Sequence, residues 1–384
     1  MTGGFGKRRR NRAPSIATAL FALLALAACQ TADTLSIDEV APSRPAETFG
    51  EGQTVIALLA ERSAGGETGA AAEARVNGAR LALEQLGGGA LTLRIDDIGT
   101  TADGARAGAA AARQGGAVLL AGTSTVRQSA AAAPGAGGPP LIAFISGATG
   151  PASNVFPFVS DTVDSLLEGV RLTVGANQSR FVVIHPADTS AADLARLRAG
   201  IGARGGTFAG AIAYPVRSGA VAGTLAAQEA TIDGADVAIV MGRDAAAGAV
   251  LDALASGEVG GSLAAKIGQA DWPDDLLARP SAQGVLIARE PPPSLALIDE
   301  AYRARFGRAP DRQAAFGFDV VAIAAGLARG GSDIDRAALT ADKGFRGLTG
   351  LFRFRADGRV ERRHVLYRFA DGGLTVVQEA GTGF

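Results

Sequence analysis

Cysteine occurs once and histidine only twice among the 384 residues. A single cysteine cannot form an internal disulfide, and one cysteine with two histidines cannot supply the four ligands of a structural zinc site. The formal net charge is only −1, with 37 basic and 38 acidic residues. Because proteins that bind the phosphate backbone carry a clear excess of positive charge, nucleic acid is not an expected partner.

Catalytic motifs are also missing. No Gly-x-Ser-x-Gly elbow occurs, and the only Gly-Lys pair, Gly6-Lys7, is not followed by the serine or threonine of a phosphate-binding loop. Neither histidine has a neighbouring motif that would supply a catalytic partner. We therefore expect no enzyme activity, no metal and no cofactor. His185, at a predicted strand end, is either structural or lines a cleft, and His364, in a charged run, is expected at the solvated surface.

No hydrophobic run is long enough for a permanent membrane span, which needs about 20 apolar residues. A nearly unbroken apolar run of 13 residues, 16–28, follows a cluster of five basic residues between Lys7 and Arg12. This pattern predicts a signal peptide over residues 1–28. Its end, Leu26-Ala27-Ala28-Cys29, resembles the bacterial lipobox, which implies that Cys29 is the lipid attachment point. The alternative is a soluble secreted protein in which this cysteine has no such role.

Residues 29–52 contain Pro42, Pro45 and several acidic residues, a composition that predicts an extended tether. An acyl anchor followed by a tether holds a globular body beside a membrane. We therefore expect a periplasmic protein that is lipid-anchored to the cell membrane or the outer membrane. By analogy with other lipoproteins, Gln30 after the cysteine favours the outer membrane.

Beyond the tether, short apolar runs alternate with alanine-rich runs of helical period. The predicted strands are residues 54–59, 91–96, 117–121, 141–145, 180–185, 207–213, 237–241 and 264–267. The predicted helices are residues 70–86, 102–114, 126–133, 163–174, 191–204, 220–232, 245–256 and 294–306. This alternation predicts an α/β fold with mostly parallel sheets and helices on both sheet faces.

The length of the body exceeds that of one α/β domain, so we expect two Rossmann-like lobes joined by a hinge. Pro291-Pro292-Pro293 forms a stiff extended segment and is a predicted crossing between the lobes. The predicted first lobe comprises residues 53–158 and 291–358. The predicted second lobe comprises residues 159–290 and 359–384.

Several segments, in their shared order, resemble the type I periplasmic binding proteins and specifically the leucine/isoleucine/valine-binding family. They are IALLAERS at 56–63, NGARLA at 77–82, DD at 96–97, ISGAT at 145–149, YRARFGRAP at 302–310, FGFD at 316–319, FRGLTG at 345–350 and FRFRADG at 352–358. The resemblance implies two lobes that close on a small solute in the cleft between them.

On the first lobe, hydroxyl and small residues follow the predicted strands at the edge where such a cleft would lie. The resemblance implies that two of these segments hold the carboxylate and amine of an amino acid. The candidates are Thr123, Ser124, Thr125, Ser146, Ala148 and Thr149, together with Arg62 and Ser63 after the first strand. The alternatives are a helix cap for the first three residues and an ordinary turn at 146–149.

The second lobe departs from the family pattern. The loop that ends at Ser190 has no aromatic residue, and Arg243 stands where a tyrosine is common. The acid that usually accepts the ligand's ammonium group is replaced by alanine, with Asp271 one position later and Trp272 after it. Arg243 either favours an anionic ligand or pairs with Asp244. Asp271 and Trp272 either form a cleft wall or belong to an exposed loop.

Two functions follow from these observations. The first is a lipoprotein that binds a small polar solute, an amino acid or related anion, and delivers it to the permease of an ABC importer. The chain also resembles the penicillin-binding-protein activators, lipoproteins that share this fold. Their likeness implies the second function, in which the partner is a cell-wall synthase that is regulated by protein contact.

Overall fold

The computed structural model describes residues 1–4, 44–135, 137–147, 149–150 and 153–384. The predicted signal peptide after residue 4, the predicted lipid attachment point Cys29 and the predicted ligand residue Ala148 lie outside the described residues. The helices and strands given below all belong to one compact unit, Ser43–Phe384. Within the described part of the chain, no helix has the length and apolar character needed to cross a membrane.

Strands and helices alternate through most of the unit. The strands are β1 (Glu47–Phe49), β2 (Thr54–Ala60), β3 (Leu91–Asp97), β4 (Ala117–Gly122), β5 (Leu141–Ala143), β6 (Val155–Pro157), β7 (Arg180–Pro186), β8 (Thr207–Tyr214), β9 (Val237–Val240), β10 (Ala265–Gly268), β11 (Leu286–Arg289), β12 (Phe345–Gly347), β13 (Gly350–Phe354), β14 (Val360–Arg362), β15 (Val365–Ala370) and β16 (Gly373–Gln378). The helices are α1 (Gly66–Leu86), α2 (Ala102–Gln114), α3 (Val126–Ala132), α4 (Thr162–Val174), α5 (Ala191–Ala203), α6 (Val221–Ala226), α7 (Glu229–Asp233), α8 (Ala245–Ser256), α9 (Asp274–Leu277), α10 (Asp299–Phe306), α11 (Arg312–Arg329) and α12 (Arg336–Leu339).

The first lobe is built on a sheet with the strand order β1-β3-β2-β4-β5-β6. Its strands are parallel except β1, which pairs antiparallel with β3. Hydrophobic clusters cover both faces of this sheet, one of them shared with α10 and α11. The strands therefore read as nearly continuous apolar runs, because parallel strands of this kind are buried on both sides.

The second lobe is built on a sheet with the strand order β16-β15-β11-β10-β9-β7-β8. Five neighbouring strands of this sheet are parallel, in the order β8-β7-β9-β10-β11. Strands β15 and β16 extend the sheet beyond β11 and are antiparallel to their neighbours. Two further hydrophobic clusters cover its faces. Two mostly parallel sheets with helices on both faces confirm the predicted fold class.

A small antiparallel sheet, β12-β13-β14, packs on the first lobe, where Phe352 and Phe354 join its core. The chain passes between the two large sheets three times, after β6, after β11 and after β14. The second passage contains the proline segment 291–293, and the third consists of only Arg363 and His364. We call these three passages the hinge.

Helices α1 and α11 approach each other closely enough to require glycine. A Cβ atom on Gly78 would lie 1.9 Å from the carbonyl oxygen of Ala314, and one on Gly317 would lie 1.9 Å from the carbonyl oxygen of Arg75. Real Cβ contacts are never this short, so neither position accepts a side chain without a shift of backbone. This contact fixes the first residues of α11 beside Arg75, at the edge of the first sheet that faces the hinge.

Several elements differ from the sequence expectation. Strand β1 lies within the segment 29–52 that was predicted to be a tether, and it pairs with β3. The predicted helix 220–232 is divided into α6 and α7, and the predicted helix 294–306 begins as a 3₁₀ turn, Leu295–Leu297, before α10. Strand β11 and helix α11 were not predicted.

Candidate functional site

The carboxyl ends of the parallel strands of both lobes point toward the hinge, and ligands of open α/β sheets bind at such edges. A cavity of about 460 Å³ lies there. We call it the hinge cavity; its lining includes Ser146, Asp161, Asp271, Arg289, Glu290, Arg312 and His364. Since small-molecule sites usually measure about 300–1,000 Å³, this volume suits a small solute.

Arg289 lines the hinge cavity and has no carboxylate partner among the described residues. It is the last residue of β11, and its Nε donates to the carbonyl oxygen of Ala270 at 2.8 Å. Among the described residues, no carboxylate lies within 4.0 Å of its guanidinium. Arg312, by contrast, pairs with Glu290. The remaining donors of Arg289 therefore suit an anionic group.

Glu290 connects the hinge to both lobes. Besides Arg312, its carboxylate lies 3.5 Å from the Nε atom of the buried Arg362. Burial acts to raise the pKa of Glu290, but the positive charges of Arg362 and Arg312 outweigh it, so the pKa lies below its ordinary value. The carboxylate is therefore ionised and already paired with two arginines. Its role is to hold the hinge residues together and not to bind a ligand.

Arg362 is buried between aromatic rings. Its guanidinium carbon lies 4.5 Å from the ring centre of Phe158 and 4.8 Å from that of Phe352. Its nitrogens donate to the carbonyl oxygen of Phe158 at 2.6 Å and to the Thr349 hydroxyl at 3.0 Å. A delocalised guanidinium stacks on aromatic faces in this way. The side chain thus joins the first and third passages of the hinge.

His364 is 1% exposed and lines the hinge cavity, so its predicted surface location is wrong. The charged run that contains His364 forms β14 and the third hinge passage. Its charged side chains pair with other groups inside the protein. Arg363, for example, lies 3.5 Å from Glu168. Burial lowers the pKa of His364 below its ordinary value, and its Nδ1 donates to the carbonyl oxygen of Arg362 at 3.1 Å.

The hydroxyl groups predicted on the first lobe bond mostly to the protein itself. Thr123 is fully buried, and its hydroxyl lies 2.6 Å from the carbonyl oxygen of Gly122. Thr125 caps α3 by accepting from the backbone N–H of Gln128 at 3.1 Å. Thr149 donates to the carbonyl oxygen of Val155 at 2.6 Å. For Thr125 the helix-cap interpretation therefore describes the observed geometry.

Ser124 bonds to an arginine that was not predicted. Arg75 donates from Nη1 to the Ser124 hydroxyl at 2.8 Å and lies 3.3 Å from Glu61. Its Nε donates to Gln313 at 2.7 Å, and its guanidinium lies 4.9 Å from the ring centre of Phe144. Arg75 therefore fills the edge of the first sheet where Ser124 was expected to meet a ligand.

Arg62 and Ser63 also have partners within the first lobe. Arg62 forms ion pairs with Glu47 and Glu73. The Ser63 hydroxyl donates to the Asp97 carboxylate at 3.0 Å. Neither residue lines the hinge cavity.

On the second lobe, Arg243 pairs with Asp271 at 3.3 Å, so the alternative pairing with Asp244 is wrong. Asp244 instead accepts from two backbone N–H groups at the start of α8, each at 3.1 Å. Arg243 lines a second cavity of about 670 Å³ beside the carboxyl ends of β7, β9 and β10. The Arg243–Asp271 pair therefore lies between this cavity and the hinge cavity.

Trp272 and Ser190 lie apart from the hinge cavity. Trp272 is 3% exposed, packs against Gly268 and donates its indole N–H to the carbonyl oxygen of Gly242 at 2.8 Å. The exposed-loop alternative is therefore wrong for Trp272, whereas Asp271 is exposed. The Ser190 hydroxyl caps α5 by accepting from the backbone N–H of Asp193 at 3.1 Å.

The structure thus brings two of the predicted residues, Ser146 and Asp271, into one cavity with Arg289, Glu290, Arg312 and His364. Arg289 and Glu290 were missed although they stand directly before the predicted proline crossing. An arginine-glutamate pair at such a crossing is a sequence pattern that points to the hinge. Arg312 gives no comparable indication, because only the packing of α11 on α1 brings it there.

Two lobes of this construction with a cavity at their hinge define a two-lobed solute-binding protein. The chain belongs to the periplasmic binding protein family, whose sequence profile matches residues 53–373. The family is one of solute-binding proteins, not an enzyme class, and it implies a periplasmic location. The predicted family resemblance is therefore confirmed. No curated protein sequence matches the chain significantly.

Similar solved structures share the fold at low identity. One is a protein from Rhodospirillum rubrum described as a branched-chain amino acid ABC transporter, with 20% identity, coverage of 84% of this chain and 99% of that chain, and a TM-score of 0.62. An ABC-type branched-chain amino acid transporter from Rhodopseudomonas palustris has 17% identity, coverage of 84% and 95%, and a TM-score of 0.57. An ABC transporter substrate-binding protein from Desulfitobacterium hafniense, in complex with Leu, has 19% identity, coverage of 84% and 99%, and a TM-score of 0.51. These likenesses confirm the type I periplasmic binding protein fold.

Proposed function

We propose that this protein is an exported lipoprotein that binds a small polar carboxylate, an amino acid or related anion, in the hinge cavity for an ABC importer. The observation that carries the proposal is the guanidinium of Arg289, which lines a cavity of about 460 Å³ and has no carboxylate partner among the described residues. Cys29, acylated after export, is the proposed anchor to the membrane.

The carboxylate of the solute is proposed to bind Arg289. An arginine fork matches a carboxylate in geometry, and a hydrogen bond between charged groups contributes about 1.5–3 kcal/mol. Ser146 lines the same cavity from the first lobe, is exposed, and offers a hydroxyl to the same ligand. Contacts from both lobes make the closed arrangement more favourable when the ligand is bound, and the importer recognises that arrangement.

The amine of an amino acid is proposed to bind Asp271. The present partner of Asp271 is Arg243, and the two side chains are 47% and 61% exposed. Exposed ion pairs contribute little, about 0–1 kcal/mol, so a ligand ammonium group can compete with Arg243. A carboxylate without an amine needs only Arg289, and this difference separates the two ligand classes by experiment.

Thermal unfolding in the presence of amino acids and of carboxylates that lack an amine tests the proposal. A ligand at about 100 times its Kd stabilises the folded protein by about 2.7 kcal/mol, which raises the unfolding temperature measurably. Arg289→Gln is expected to abolish the response to every ligand. Asp271→Asn is expected to abolish the response to amino acids and to retain the response to simple carboxylates.

The matched control is Arg303→Gln, which removes an exposed arginine that pairs with Asp299 on α10. This variant is expected to respond as the unmodified protein does. If Arg289→Gln still binds the screened ligand with unchanged affinity, Arg289 is not the anchor and the proposal fails.

One observation favours the second function, regulation of a peptidoglycan synthase by protein contact. The hydroxyls of Thr123, Ser124 and Thr149, which the resemblance assigns to an amino acid, all bond to other groups of the protein. A first lobe occupied in this way offers fewer ligand contacts. The second function would replace the first if no screened ligand stabilises the protein and the full chain captures a purified peptidoglycan synthase.

A further inference from the structure

A third cavity, of about 450 Å³, shares no lining residue with the hinge cavity. It lies between helices α4 and α5 of the second lobe on one side and β14 with the preceding turn on the other. We call it the arginine cavity, because its lining includes Arg196, Arg204, Arg355, Arg359 and Arg362. None of these residues is part of the proposed solute site.

Four of these arginines have a buried Nε–H group that donates no hydrogen bond among the described residues. The Nε atoms of Arg196, Arg204, Arg359 and Arg362 are all inaccessible and lack a hydrogen-bond partner among the described residues. A buried donor without an acceptor costs free energy, and charged donors cost more. Two of these Nε atoms, in Arg359 and Arg362, lie 3.5 Å from the carboxylates of Asp357 and Glu290, so only those of Arg196 and Arg204 have no acceptor nearby among the described residues. A group rich in acceptors that binds in the cavity would balance the charge of Arg204.

Arg204 has the greatest need for such a group. Its Nη1 donates to the carbonyl oxygen of Gly200 at 3.1 Å, and no described carboxylate lies within 4.0 Å of its guanidinium. Burial lowers the pKa of Arg204 below its ordinary value, and the negative charges of Glu361 and Glu168 offset this effect only in part.

The acidic residues of the cavity already have arginine partners. Asp164 lies 3.3 Å from Arg196, and Asp357 lies 3.5 Å from Arg359. Glu361 lies 3.1 Å from Arg355, and Glu168 lies 3.0 Å from Arg171. The charges of Asp357, Glu361 and Glu168 are therefore matched within the protein, whereas Arg204 has no carboxylate within 4.0 Å among the described residues.

We propose that the arginine cavity is a second binding site, for a phosphate group. The planar fork of arginine matches phosphate oxygens and binds them in pairs, and a phosphate offers acceptors in several directions at once. Because α4 and α5 belong to the second lobe and β14 to the sheet packed on the first, a bound phosphate bridges the lobes at a point separate from the solute site.

Inorganic phosphate titrated into the full chain, with chloride at the same ionic strength as the reference, tests the site. Phosphate is expected to bind and to raise the unfolding temperature more than chloride does. Arg204→Gln is expected to weaken phosphate binding about tenfold or more, since one charge-assisted contact is lost. Arg303→Gln, outside the cavity, and Arg289→Gln, in the hinge cavity, are expected to retain full binding.

Arg359→Gln provides a second variant if Arg204→Gln does not fold, as judged by circular dichroism, and it is expected to weaken phosphate binding as well. The proposal is overturned if a folded variant of either arginine binds phosphate as tightly as the unmodified chain does. It is also overturned if phosphate raises the unfolding temperature no more than chloride does. Loss of the phosphate effect in Arg289→Gln also overturns it, because the anion then binds in the hinge cavity.

The source of the phosphate is distinguished with vesicles. A lipid headgroup is identified if the protein floats with vesicles that contain phosphatidylglycerol but not with phosphatidylcholine vesicles. This flotation must also be lost in Arg204→Gln. Phosphate binding without such flotation identifies a soluble phosphate or phosphate ester. Flotation that is unchanged in Arg204→Gln shows a membrane contact elsewhere and contradicts the lipid form of the proposal.

Discussion

At the residue scale, charge decides the character of the hinge. Arg289 lacks a carboxylate partner among the described residues, whereas Arg312 and Arg362 are tied to Glu290. A buried arginine is stable only when its charge and donors are matched, and unmatched donors mark the places where a ligand has most to contribute. The same reasoning connects the hinge cavity and the arginine cavity.

Asp164 leads to a prediction about pH. Burial and the neighbouring charge of Asp161 raise the pKa of Asp164 from 3.8 to about 7. The folded protein therefore holds a proton that the unfolded chain has lost, and the stability from this proton is full below about pH 4 and declines as the pH rises toward 7. Asp164→Asn, which is always neutral, is expected to lose less stability than the unmodified protein between pH 5 and about 7.

Urea unfolding at several pH values measures this effect. The control is Asp103→Asn, because the Asp103 side chain is 89% exposed and pairs with Arg106 at the surface. Parallel pH profiles for Asp164→Asn and the unmodified protein would show that Asp164 is ionised in the folded state throughout, contrary to the prediction.

Sequence alone identified few of the residues in the hinge cavity. Ser146 was found because it directly follows a predicted strand, where ligand groups cluster. Asp271 was found because it stands one position after the place where the family carries an acid. Arg312 was missed, since it reaches the cavity from a helix and nothing in the local pattern distinguishes it from a surface arginine. His364 was placed at the surface because its neighbours are charged, but those charges are neutralised inside the protein.

At the element scale, the contact between α1 and α11 positions the edge of the first lobe. Gly78→Ala is expected to lower the free energy of unfolding by about 1–3 kcal/mol or more, because the new Cβ would overlap the Ala314 carbonyl oxygen. Gly326, on the same helix α11, has nothing within 4 Å of its ideal Cβ position. Gly326→Ala is therefore expected to be neutral or stabilising by about 0.5–1 kcal/mol.

Denaturant unfolding of both variants measures the contrast. Similar stabilities for Gly78→Ala and Gly326→Ala would mean that α1 and α11 separate at little cost, and that their contact does not fix the site. Because Arg75 lies close to Gly78 on α1, reduced binding of the screened solute by Gly78→Ala is expected as well.

The elements that the sequence predicted well are those with a strong repeating pattern. Strands such as β2 and β4 are continuous apolar runs between helices with a clear apolar face, and they were found within a few residues. Strand β11, of four residues, was missed although β9 and β10, which are equally short, were predicted. The alternating Phe-Arg-Phe of β13 was present in the sequence, but it was interpreted only as part of a family segment.

At the scale of the whole molecule, the two lobes followed from the length of the chain and the regular strand-helix alternation. The hinge cavity did not, since its lining comes from three passages that are far apart in sequence. The predicted lobe boundaries remain a prediction. Lobe closure around a solute is the central claim, because it requires that the cavity bind and that the hinge move.

The most direct test is the distance between the lobes, measured by pulsed electron spin resonance between two spin labels. Val126 and Val216 are 68% and 59% exposed and follow β4 and β8 at the carboxyl edges of the two sheets. Labels on cysteines at these positions, in a chain with Cys29 replaced by serine, report lobe closure. Saturating solute from the ligand screen is predicted to shorten this distance, and Arg289→Gln is predicted to prevent the change. An interlobe distance that stays the same at saturation would contradict the account.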